Sequence, residues 1–105
     1  MLDMLKKLFG TAPRVNYREL LENNGIIVDV RTKNEYAMGH IKGSRNIPLN
    51  SLPNNLGKFK KKDQPIITCC ASGMRSGTAR RIFKDQGYTN VHNGGSWRGL
   101  YKKIS

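Results

Sequence analysis

Two cysteines, Cys69 and Cys70, stand side by side in the stretch "TCCASGMRS" at positions 68–76. They are the only thiols of the chain. They fall where the apolar run "PIITCC" stops and a helical pattern begins. A glycine, Gly73, and an arginine, Arg75, follow closely. Adjacent cysteines do not bridge each other readily, because a disulfide needs more Cα separation than one trans peptide provides. The two thiols are therefore read as free, in a reducing compartment, where such thiols are reactive or metal-binding more often than structural. The expected location is the cytoplasm.

A loop between a strand end and a helix N-terminus presents backbone N–H groups and the positive end of the helix dipole to whatever sits there. That field favours a thiolate over a thiol. Arg75 adds a fixed positive charge, and Gly73 lets the loop enter conformations closed to residues with a Cβ. The N–H groups of residues 71–75, curved into a nest, would hold a sulfur anion. Strand alternation sets the two thiols on opposite sides, so if Cys70 points into the loop, Cys69 points away from it into the core.

The elements needed to position this loop follow from the pattern. The 105 residues suit one domain spanning 1–105, with its core at about 15–100. Short apolar runs alternate with helix-like stretches, which predicts an α/β fold with a mainly parallel sheet. Residues 16–25 read as a helix, with Asn16 as N-cap and Gly25 as stop. Residues 26–30 and 65–70 read as buried strands. "SRNIPL" and "TNVHN" read as short strands, and residues 34–40 hold one or two helical turns. Residues 51–59 read as a short helix with Pro53 at its start. Residues 76–87 give the clearest helix, with Ala79, Ile82 and Phe83 on one face. Gly94, Gly95 and Trp97 are read as a turn leading to a final short helix.

Composition narrows the classes. There is no run of about 18 apolar residues, so no membrane-spanning helix is expected, and "MLDMLKKLFG" lacks the features of a secretion signal. The formal charge of +12 favours anionic partners. The lysines sit in scattered clusters with no nucleic-acid-binding pattern, so specific nucleic-acid binding is not expected. Neither the cysteines nor His40 and His92 have chelating spacing, so no metal is expected, and no organic cofactor is implied. His40 is read as a loop brace and His92 as structural. Asp29 ends an apolar strand and is read as a structural carboxylate, with Arg31 a candidate partner for it or for Glu35.

Three ordered motifs resemble the rhodanese-like sulfurtransferases. "CASGMRS" is similar to that family's active-site loop. "DVRTKNEYAMGHIKGSRNIPL" resembles its upstream signature and "GYTNVHNGGSW" its closing one. The resemblance implies a three-layer α/β/α fold with a five-stranded, mainly parallel sheet. It implies Cys70 as nucleophile, with Ala71, Ser72, Gly73, Met74, Arg75 and Ser76 forming the persulfide- and substrate-binding loop. Asp29 and Arg31 would support that loop from the neighbouring strand.

The implied reaction moves a sulfane sulfur from thiosulfate or a similar small anionic donor, through a Cys70 persulfide, to a thiol, a protein or a cyanide-like acceptor. Cys69 departs from the family, which usually carries another residue there. The spacing between the glycine pair and Trp97 is also shorter than is common in the family. A carrier or interaction domain serving a partner protein would use the same residues. Phosphatases and arsenate reductases of similar fold are a third reading. The phosphatases have five residues between cysteine and arginine, whereas Ala71, Ser72, Gly73 and Met74 make four here. The narrower loop favours sulfur over phosphate.

Overall fold

A computed structural model of the chain describes residues 14–105. The amphipathic start and the lysine pair at positions 6 and 7 lie outside the described residues. Four strands form one parallel sheet in the order β2-β1-β3-β4: β1 is Ile26–Asp29, β2 Arg45–Asn46, β3 Ile66–Cys70 and β4 Val91–Ser96. The helices are α1 (Tyr17–Glu22), α2 (Lys33–Ala37), α3 (Met74–Asp85) and α4 (Trp97–Ile104), with a 3-10 helix at Leu49–Lys58.

The period of two in each strand divides the core between the two faces of the sheet. Val28, Val30, Ile66, Cys70 and Val91 pack with Ala79 and Phe83 of α3 and with Leu52 of the 3-10 helix. Ile27, Ile67 and Cys69 pack on the opposite face with Leu100 of α4 and with Leu20 and Leu21 of α1. Each of the large apolar side chains buried in this way contributes about 1.5–3 kcal/mol. β3 is buried along its whole length, which explains its unbroken apolar sequence.

Four strands stand among the described residues where the resemblance implied five. Asn16 caps α1 through its side chain, and every residue from Trp97 to Ile104 winds into α4. The 3-10 helix begins at Leu49, directly after Pro48, so Pro53 lies inside it rather than at its start. β4 also differs from expectation. It begins two residues later than the stretch "TNVHN" and runs through Gly94 and Gly95, where the sequence predicts a turn. Thr68 pairs with Asn93, but Cys70 pairs with Ser96, so β4 carries one extra residue there. Gly94 is required at this point, since a Cβ would lie 2.8 Å from Cγ2 of Ile67 and 2.9 Å from the carbonyl oxygen of Thr68.

Candidate active site

The sulfur of Cys70 takes the place of a helix cap. α3 starts at Met74, two residues earlier than its sequence pattern indicates, because Gly73 turns the chain into the helix with φ +100°. Gly73 has no side chain with which to cap. Sγ of Cys70 instead accepts the N–H of Gly73 at 3.0 Å and that of Ser76 at 3.4 Å. Ser76 is the third helical residue, whose N–H an ordinary capping side chain would satisfy. The Ser76 hydroxyl lies 3.4 Å from the same sulfur.

Ionisation of Cys70 follows from this geometry. Burial raises the thiol's pKa, and the residue has no exposed surface. The Ser76 hydroxyl and the N–H groups of Ser76, Gly73 and Ser72 outweigh burial, and the net shift is downward. Cys69 behaves oppositely. Burial, and then the negative charge of Asp29, push its thiol up to about 12. Side by side in sequence, one sulfur meets a ring of donors and the other a wall of Ile27, Ile41, Ile67 and Leu100.

Of the expected loop residues, Gly73 and Ser76 contact the Cys70 sulfur. Met74 points outward with 81% of its surface exposed. Arg75 forms a two-pronged bridge to Glu35 of α2, at 2.7 and 2.9 Å. That interaction and the Thr32 N–H hold the Glu35 carboxyl at about 2. Asp29 and Arg31 form a buried pair, with contacts of 2.7, 3.0 and 3.1 Å. Arg31 also donates to the carbonyls of Glu35 and Gly39, and its guanidinium lies 4.8 Å from the Trp97 ring centroid. With only 4% of its surface exposed, Arg31 braces the α2 loop. His40 braces that loop too, stacked on Tyr36 and bonded to its carbonyl oxygen at 2.8 Å. His92 bonds Asn90 at 2.7 Å.

Two residues absent from the expected site prove central to its geometry. Thr68 donates its hydroxyl to the Ser76 carbonyl at 2.8 Å, tying β3 to α3 beneath the sulfur. Asn93 bonds both Ser76 and Gly73. An asparagine in a strand is a poor local choice, and that was the available signal. Its position opposite Thr68, on the same face as Cys70, appears only in the register.

This strand–loop–helix cradle can be set beside known proteins. The rhodanese-like domain model matches residues 15–102. The chain belongs to the rhodanese-like domain family. This rhodanese-like domain is 38% identical to the Bacillus subtilis protein YqhL, over 95% of its own length and 72% of that protein's. It is 36% identical to thiosulfate sulfurtransferase GlpE of Pseudomonas paraeruginosa, over 80% of this chain and 79% of the relative. Among solved structures, the human single-domain sulfurtransferase TSTD1 matches with a TM-score of 0.73 at 28% identity, covering 90% of this chain and 99% of that one. No helix among the described residues is long and apolar enough to cross a membrane.

Proposed function

We propose that this rhodanese-like domain is a thiosulfate-type sulfurtransferase with Cys70 as its nucleophile. The observation that carries the reading is the convergence of the Gly73 and Ser76 N–H groups on one sulfur at 3.0 and 3.4 Å, with the Ser76 hydroxyl oxygen 3.4 Å from it. Such donors stabilise a thiolate, the form that attacks sulfur. In the first step the thiolate attacks the outer sulfur of thiosulfate. A new S–S bond forms, the old one breaks, and sulfite leaves with the electron pair. Cys70 then carries a persulfide whose charge sits on the outer sulfur. In the second step an acceptor thiolate or cyanide attacks that sulfur, and the Cys70 thiolate is regenerated.

The 71–75 loop is the persulfide cradle in this reading. Arg75 braces the loop through Glu35 and adds positive charge toward an anionic donor. Asp29 and Arg31 support the loop from the neighbouring strand. The whole chain acts as one domain, and both free cysteines suit the reducing cytoplasm.

Intact mass spectrometry after incubation with thiosulfate tests this. The native chain and Cys69→Ser should each gain one sulfur that cyanide removes, and Cys70→Ser should gain none. Loading of the Cys70→Ser variant would overturn the assignment. Failure of all three to load would remove free thiosulfate as the donor.

A further inference from the structure

Asn93 is an exposed residue of β4 at the side of the cradle, and each polar atom of its side chain is engaged. Nδ2 donates to the Gly73 carbonyl at 3.0 Å. Oδ1 accepts the Gly95 N–H at 2.9 Å and meets the Ser76 hydroxyl at 2.6 Å. These partners determine which end of the amide is which. A carbonyl only accepts, so the amino end must face Gly73. A backbone N–H only donates, so the oxygen must face Gly95. Oδ1 has no proton to give. The Ser76 hydroxyl is therefore the donor in the 2.6 Å bond, and it turns its lone pairs toward Cys70 Sγ, 3.4 Å away.

That arrangement suits an uncharged sulfur, whose S–H can donate to the hydroxyl. A thiolate requires the reverse, with the hydroxyl donating to sulfur. The change is a rotation about one C–O bond and moves no heavy atom. We propose that Asn93 is a positioning residue for sulfur transfer that acts through Ser76, accepting the hydroxyl proton while Sγ is uncharged and yielding it when Sγ carries the charge. This inference rests on the sulfur-transfer reading above. In that cycle Sγ is charged in the free thiolate. It is uncharged in the persulfide, whose charge has moved to the outer sulfur. The Ser76 proton follows the charge between two acceptors, so neither state of Sγ leaves the hydroxyl without a partner.

Charge-assisted hydrogen bonds are stronger than neutral ones, so the thiolate wins the proton once formed. Ionisation then costs the bond to Asn93. The other titratable groups around the sulfur are Cys69, held protonated, and Arg75, held on Glu35. His92 precedes Asn93 in β4 but is bonded to Asn90.

The test is a pH titration of the Cys70 thiolate by its ultraviolet absorbance, on the full chain, with Cys70→Ala as blank. Asn93→Ala should lower the midpoint by about half a unit to one unit, the size of one competing neutral hydrogen bond. In a Ser76→Ala background the same change should produce no fall. Asn93→Asp keeps the acceptor for the Ser76 proton and adds a negative charge. It should raise the midpoint, and by more with Ser76 present than without it. An unchanged midpoint in Asn93→Ala with a lowered melting temperature would overturn the proposal. So would an equal fall in the Ser76→Ala background. If Asn93→Ala does not fold, Asn93→Asp carries the test. Failure of both to fold would assign Asn93 to the fold alone and likewise overturn the proposal. The titration uses no sulfur donor, so its result is read separately from the loading experiment.

Discussion

Arg75 and Glu35, 40 positions apart in the chain, meet through two hydrogen bonds of 2.7 and 2.9 Å. Arg75 lies in the first turn of α3 beside the Cys70 cradle, and Glu35 lies in the first turn of α2. Thr32 and Glu35 also form a reciprocal cap at the start of α2. One carboxylate thus joins the helix that carries the cradle to the loop that follows β1.

Replacing Glu35 with Gln should loosen this bridge more than it weakens the fold. Both side chains are 36% exposed, so the pair contributes about 0.2–1 kcal/mol. The pH dependence has a definite sign. The Glu35 carboxyl falls from 4.5 to about 2 on folding. Its contribution is full above 4.5 and is lost as pH drops through about 2. Urea unfolding of the native chain and of Glu35→Gln should therefore differ at neutral pH and converge toward pH 2. A constant difference across that window would refute the assignment.

The cap formed by the Cys70 sulfur separates stability from reactivity. Cys70→Ala removes the acceptor for the Ser76 N–H and should cost about 0.5–2 kcal/mol, as loss of an N-cap does. Cys70→Ser keeps an acceptor and should be destabilised less, yet it should load no sulfur. Thermal melts of the two variants check the first point and mass spectrometry the second.

The pH profile of loading should reflect a lowered thiol pKa at Cys70. The rate should rise with pH and level off below 9.0, the ordinary thiol value. The linked stability has the same sense. It is present above 9.0 and fades as pH falls through the lowered folded value. A loading midpoint at or above 9.0 would contradict the donor geometry around Sγ.

Gly73→Ala should damage both fold and cradle. Its φ of +100° strains any residue with a Cβ, at about 1–3 kcal/mol, and the added carbon would lie 3.3 Å from the Gly95 Cα. Relief of that strain would move the N–H that now sits 3.0 Å from the sulfur. Slower loading with a lower melting temperature is the expected result.

Asp29→Asn should act on stability and leave the donor's KM unchanged. The change leaves the buried Arg31 charge without its carboxylate, which costs about 3–5 kcal/mol. A raised KM for thiosulfate with unchanged melting would show that Asp29 or Arg31 meets the substrate directly.

Much of this protein is local and was legible in the residues. Unbroken apolar runs mark β1 and β3, because strands of a parallel sheet are covered on both faces. The Cys70–Gly73–Arg75 spacing marks the loop, because a strand end followed by glycine and a helix leaves few geometries. That Cys69 and Cys70 face opposite sides of the sheet follows from strand alternation alone. Other features depend on contacts between distant segments, which no local pattern encodes. The partner of Arg75 was one. The sequence pairs Glu35 only with Arg31, and its choice of Arg75 depends on how α2 and α3 approach. The course of β4 was another, since an extra residue opposite β3 is visible only in the paired strands. Asn93 was the third. Its sequence neighbours mark it as a strand residue, and only the parallel register of β3 and β4 brings its amide to Ser76 and Gly73. Sequence determined that the two sulfurs face opposite sides of the sheet and that a glycine loop follows the second, through local period and loop chemistry. Tertiary structure decided which side chains hold its donors in place, because hydrogen-bond partners are chosen by distance in space.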